Sequence, residues 1–210
     1  MARFSPLKWL DDLLNPISRR MSRDMEIMRQ ELASWKDKLV PLAPGEWELI
    51  SSHHFPIGGR KRRRKKPTIG MIGTIYQEPV AVWDYKAYPG KGDPAVLVVR
   101  THAQEYLYKI QGPDVELVIG PYLVGLLRGT GKLYSSRKKV LLARMGPVNG
   151  NYLPIQAYDR EVGAVALPSD SEAPFPRAFA FMVNDMNENE RELFLALGLW
   201  EVVRQTLRRE

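Results

Sequence analysis

Leu193-Phe194-Leu195-Ala196-Leu197-Gly198-Leu199-Trp200 is the stretch whose reading decides the architecture. These eight residues carry no polar side chain. Wound as a helix they cover more than two turns and leave no face for water, so the helix must be buried on every side. The run is far short of the roughly 20 residues that a bilayer span requires. Its wall therefore has to come from the rest of the chain. Upstream, Asn187 with Glu190 three residues later has the form of a capping box, with Asp185/Glu188 as the alternative start. The helix is expected over about residues 187–207, with the charged tail from Arg204 to Glu210 emerging into solvent. Gly198 in mid-helix costs ~1 kcal/mol relative to Ala, and close approach of a strand would be a reason to keep it.

The wall lies between residue 46 and about residue 183. About a dozen short segments rich in β-branched and aromatic residues run from Trp47–Ser52 and Thr68–Gln77 to Glu161–Leu167 and Ala178–Val183. Gly, Pro, Asn and Asp separate them, as in Pro89-Gly90-Lys91-Gly92, Gly129-Thr130-Gly131 and Asn149-Gly150-Asn151. Several connections are short enough for hairpins, and no long helical pattern interrupts the strands, which argues against βαβ crossovers. The predicted fold is mainly β: a closed or nearly closed antiparallel barrel of about 12 short strands around the hydrophobic C-terminal helix, over residues 45–210.

Residues 1–44 read as an N-terminal helical arm. Ser5-Pro6 and Asn15-Pro16 each pair a cap residue with a first-turn proline. Leu7, Leu10, Leu13 and Leu14 share a face after the first pair and, with Phe4 and Trp9, would also suit a membrane interface. After the second pair, Met21, Met25, Met28, Leu32, Trp35 and Leu39 follow one another at alternating spacings of four and three, a heptad seam that Pro41 and Pro44 end. Such a seam either packs on its own domain or, through residues 16–40, joins a second copy or a partner helix. Its methionines suit both.

Many short antiparallel strands followed by one wholly apolar C-terminal helix resemble the tubby-like superfamily, which includes the tubby C-terminal domain, the phospholipid scramblases and the LURP-one-related proteins. The segments that carry the likeness are Ala178–Val183 as last strand, Asn187–Glu190 as helix start and Leu193–Trp200 as helix core, within a span of roughly 46–203. It is a likeness of element order. It implies a barrel with a filled interior and recognition of phospholipid or an intracellular partner. The heptad arm is additional, and the cysteines of many scramblases are missing.

The chain has 31 Lys+Arg and 24 Asp+Glu, a formal charge of +7. Seven consecutive cations, Arg60-Lys61-Arg62-Arg63-Arg64-Lys65-Lys66, account for all of it, since the rest of the chain balances. Gly58-Gly59 before and Pro67 after suggest a hairpin tip. A concentrated cationic patch favours polyanions. Anionic phospholipid is the leading partner. Nucleic acid is the alternative, although no aromatic residue interleaves the run as a stacking platform would. A solvated loop beside a protein-interaction module is the third reading. There are no cysteines, which excludes disulfides, thiolate metal sites and a thiol nucleophile. No apolar run is long enough to cross a bilayer, and Asp11 and Asp12 interrupt any secretory signal. A cytoplasmic protein, peripheral at the membrane, is expected.

No catalytic signature stands out, and no cofactor or metal is implied. Adjacent His53 and His54 point to opposite faces of a strand, and His102 is the only other histidine. Gly129-Thr130-Gly131-Lys132 lacks the spacing of a phosphate loop and reads as a hairpin turn. Glu78, Asp84, Glu105, Asp159 and Glu161 show no spacing that marks an acid–base pair. Trp83/Tyr85 and Tyr106/Tyr108 are i, i+2 pairs on strand faces, suited to cross-strand packing or, if a groove exists outside the barrel, to lining it. The expected role is binding or scaffolding.

Overall fold

The computed structural model describes residues 16–56, 69–167 and 175–209. Helix α1 spans Pro16–Ala33, and two short 3-10 turns follow at Lys36–Lys38 and Pro44–Leu49. Strand β1 is Ile50–Pro56, β2 Ile69–Thr74, β3 Pro79–Ala87 and β4 Ala95–Thr101. Strand β5 is Glu105–Gln111, β6 Asp114–Ile119, β7 Tyr122–Leu127 and β8 Lys132–Ser135. Strand β9 is Leu141–Met145, β10 Tyr152–Ala157, β11 Arg160–Ala166 and β12 Phe179–Met182. Helix α2, Glu188–Arg209, ends the described chain.

The 12 strands form one sheet in chain order, each antiparallel to its neighbour. The two ends of the sheet meet. The Ser52 N–H donates to the Pro176 carbonyl at 2.7 Å, the Ala178 N–H to the Ile50 carbonyl at 2.7 Å, and Ser51 bridges Arg177. This nearly closes the barrel and caps the two sheet edges that would otherwise invite pairing.

Helix α2 fills the interior. From Leu193 to Val203 every residue is buried, none more than 9 % exposed. The capping box forms as the sequence predicts: Asn187 N–H donates to Glu190 Oε2 and Glu190 N–H to Asn187 Oδ1, both at 3.0 Å. Two glycines let helix and wall approach. A Cβ on Gly198 would lie 2.8 Å from the Phe179 ring of β12, and one on Gly163 of β11 would lie 2.6 Å from the Phe194 ring of α2. The Tyr108 hydroxyl donates to the Ala196 carbonyl at 2.8 Å, and its ring stacks on Trp200 at 5.4 Å. The helix runs on past Arg204. Gln205 is still buried, and Arg204 turns back to pair with buried Glu201, so the tail leaves the barrel later than its charge predicts.

The arm differs in extent from the sequence reading. Helix α1 stops at Ala33, before Trp35 and Leu39. The Ser34 hydroxyl donates to the Glu31 carbonyl, and Trp35 N–H to the Leu32 carbonyl, an i to i−3 bond that replaces the α ladder before either proline is reached. Trp47–Leu49, read as the start of a strand, belong instead to the second 3-10 turn, whose entry is held by Ala43 N–H donating to the Glu46 carboxylate at 2.8 Å.

The helix lies on the outer face of the barrel. Met21, Met28, Leu32 and Leu39 are buried against Val82, Tyr88, Val96, Val98 and Leu107, with Met25 and Trp35 partly buried at the margin. Strands β3 to β5 are thus covered on both faces. This explains why Val80–Val82 and Ala95–Val99 are continuous apolar runs and not alternating ones.

Candidate functional site

Antiparallel alternation sorts the connections onto two rims. The C-terminal ends of β1, β3, β5, β7, β9 and β11 share one rim, called upper here, and the intervening turns share the lower. Helix α2 follows β12 and so enters at the lower rim. Tyr106 near the start of β5 feels the charge of Glu192, and Tyr108 further along touches Ala196 and Trp200, so the helix climbs toward the upper rim. Helix α1 starts at the upper rim, with Ile17 against Gly90 in the β3–β4 turn, and descends to Arg29, which pairs with Glu105 at the start of β5.

The predicted anion-binding run Arg60–Lys66 lies outside the described residues, as do Leu7–Leu14. Their described flanks are informative. Strand β1 ends and β2 begins on the upper rim, and α1 begins there too. Exposed Lys91, Arg128 and Arg208 belong to the same rim.

Polar contacts pin the arm to the wall. Lys86 Nζ pairs with Asp24 at 2.6 Å, the Tyr88 hydroxyl donates to the same carboxylate at 2.7 Å, and Lys109 Nζ donates to Ser18 Oγ at 2.7 Å. Burial alone would raise Asp24. The hydrogen bonds from Lys86 and Tyr88, with the charges of Lys86 and Arg20, outweigh it and hold the carboxyl below its usual range. Buried Glu105 is held between Arg29 at 2.6 Å and Arg100. Asp84 on β3 faces α1 and is 6 % exposed; burial, together with the nearby Glu31 carboxylate, pushes its pKa up to about 7.

A second surface feature was not anticipated from the sequence. An open groove of about 1020 Å³ runs along the outside of the barrel at β6–β8. Leu126 and Tyr134 line it, with Arg128, Lys132 and Lys139, and hydroxyls from Thr130, Ser135 and Ser136. One carboxylate, Asp114, also lines it and pairs with Arg128 at 2.5 Å. A signal for it exists in the sequence. Residues 117–158 contain six Lys/Arg and no Asp or Glu, a local excess hidden because the rest of the chain outside the 60–66 run is neutral in sum.

The other sequence candidates are placed as follows. Trp83, Tyr106 and Tyr108 are buried inside the barrel and Tyr85 packs against the same core, so these aromatics support the interior and do not line an external groove. Burial raises the Tyr106 and Tyr108 hydroxyls well above the ordinary phenol range, where they stay protonated. The Met21–Leu39 seam is occupied by the chain's own sheet. The side chains of His53 and His54 lie outside what is described. His102 is on the lower rim, with its Nδ1 buried and unbonded. Among the described residues, no group of three His, Cys, Asp or Glu side chains could hold a metal ion. No helix among them is long and apolar enough to cross a membrane. No family model, no curated protein and no solved structure matches the chain.

Proposed function

We propose that this is a non-enzymatic binding protein that associates peripherally with anionic phospholipid through Arg60–Lys66, upper rim toward the membrane. One observation carries the reading: β1 ends, β2 begins and α1 begins on one rim, so the cationic run and the apolar N-terminal stretch are both tethered to the same end of the barrel. Because α2 fills the interior, recognition falls to the outside. Each cation contributes ~1 kcal/mol near an anionic surface and is screened by salt. The resemblance to the tubby-like superfamily supports the same ligand class.

Flotation with vesicles tests this. The full chain is expected to float with vesicles containing acidic phospholipid, not with neutral ones, and to be released by salt. Replacing Arg62, Arg63 and Arg64 with Ser is expected to abolish flotation. Undiminished flotation of that variant would remove the run from the mechanism. A salt-titrated gel shift that depends on the same arginines, without flotation, would favour nucleic acid instead.

A further inference from the structure

We propose that the outer face of β7–β9 docks an acidic, amphipathic peptide segment of a partner protein. The groove along β8 is only part of this surface. The strand register puts Leu123, opposite Val118, and Leu141, opposite Tyr134, on the same outer face, and Leu123 is 44 % exposed. The β8–β9 turn is tied to β7 there: Ser136 N–H donates to the Val124 carbonyl at 3.0 Å, and the Ser136 hydroxyl donates to the Leu123 carbonyl at 3.2 Å. The turn that carries Lys139 is therefore held against the strand that carries Leu123 and Leu126.

Charge selects the occupant. Exposed Lys132, Arg137, Lys138, Lys139 and Arg144 stand on or beside this face and outnumber the two carboxylates of neighbouring β6, Asp114, which pairs with Arg128, and Glu116, which lies opposite Leu126. A bare phosphate would leave Leu123, Leu126, Tyr134 and Leu141 unused. A bilayer surface is not shaped to enter a concave groove. A peptide alternating carboxylates with apolar side chains fits both the cations and the floor made by Leu126 and Tyr134. It cannot bind by adding a strand, since β7, β8 and β9 are paired on both sides, so side chains must do the recognising.

Lys139 lies in the β8–β9 hairpin turn. Its φ is +54°, a left-handed conformation that disfavours a residue with a Cβ. Gln77, Asp93 and Tyr158 adopt the same left-handed conformation in other hairpin turns, so this φ belongs to the turn and suits a glycine there.

The test is fluorescence polarisation with the full chain and a labelled nine-residue peptide of Glu, Leu and Trp. The expected result is binding that weakens at least tenfold in Lys132→Glu/Lys139→Glu and at least fivefold in Leu123→Ser/Tyr134→Ser. A Glu/Ser peptide of equal charge is expected to bind at least tenfold more weakly. Lys139→Gly relieves the strained backbone, so it is expected to hold or raise Tm while still losing affinity. The chain with Arg62, Arg63 and Arg64 replaced by Ser is expected to bind the peptide normally, which separates this surface from the lipid reading. Equal binding of the two peptides, or equal binding by Lys132→Glu/Lys139→Glu, would overturn the proposal. So would absence of peptide binding in a chain whose vesicle flotation depends on Lys132 and Lys139.

Discussion

At Gly198 one absent methyl group lets the helix fit its wall. Gly→Ala in mid-helix ordinarily gains ~1 kcal/mol. Here the added carbon would meet the Phe179 ring, which is itself fully buried and packed on Phe194 at 5.1 Å. Overpacking of this kind costs ~1–3 kcal/mol, so Gly198→Ala is expected to be net destabilising by urea denaturation. Trimming the obstacle, in Gly198→Ala/Phe179→Leu, is expected to cost less than the sum of the two single changes, because the pair shares one space. Asp84 offers a second residue-scale check. Its folded pKa of about 7 lies above the ~3.9 of an unfolded aspartate, so the native state holds the proton more tightly. The sign follows: this contribution is intact below about pH 4 and is lost as pH rises through about 7, in total on the order of 4 kcal/mol. Glu31 on α1 opposes ionisation and Lys86 on β3 favours it, with Asp24 moving the other way nearby. Asp84→Asn is therefore expected to match the natural chain near pH 4 and to exceed its stability at pH 8, measured as urea midpoints across that range.

Helix α1 shows how an element can be predicted well and still be ambiguous in use. Its seam was legible because alternating spacings of four and three need only the sequence. Which surface covers the seam was not, since a heptad stripe looks the same whether it meets a second helix or a sheet. The answer lay elsewhere in the chain, in the unbroken apolar runs of β3 and β4, whose outward members Val82, Val96 and Val98 need a cover. Turns such as Gly129-Thr130-Gly131 are legible because glycine breaks the strand pattern there, whereas the first strand reads as starting early because Trp47 looks like a strand residue inside a Pro-initiated turn. The groove at β8 stayed hidden since concavity depends on how neighbouring strands and turns stack. A chain beginning at residue 45 is expected to expose Val82, Val96, Val98 and Leu107, to bind a hydrophobic dye and to self-associate, while the full chain sediments as a monomer. A well-behaved monomer from residue 45, with a dimeric full chain, would return the seam to a partner helix.

At the scale of the whole molecule, enclosure makes the C-terminal helix hostage to the barrel. Helix α2 is the last element in the chain, yet it occupies the centre, and the barrel is shut by the Ser52–Pro176 and Ala178–Ile50 hydrogen bonds between its two ends. Water can reach the amides of Leu193–Val203 only if the wall parts, and the wall is one continuous ladder of 12 strands. Opening therefore has to be near-global, and the amides of this stretch are expected to exchange at the slowest rate in the protein, with a free energy that tracks the stability measured by urea. The exposed turn residues 128–130 and 136–140 are expected to exchange orders of magnitude faster. Leu197→Asp, which places a lone carboxylate inside the barrel, is expected to abolish cooperative folding, since an uncompensated buried charge costs several kcal/mol or more. Fast exchange throughout 193–203, or a soluble and stable Leu197→Asp protein, would mean that the helix sits against the barrel and not within it. The external location of every ligand surface argued above follows from that enclosure, so the exchange measurement bears on all of them at once.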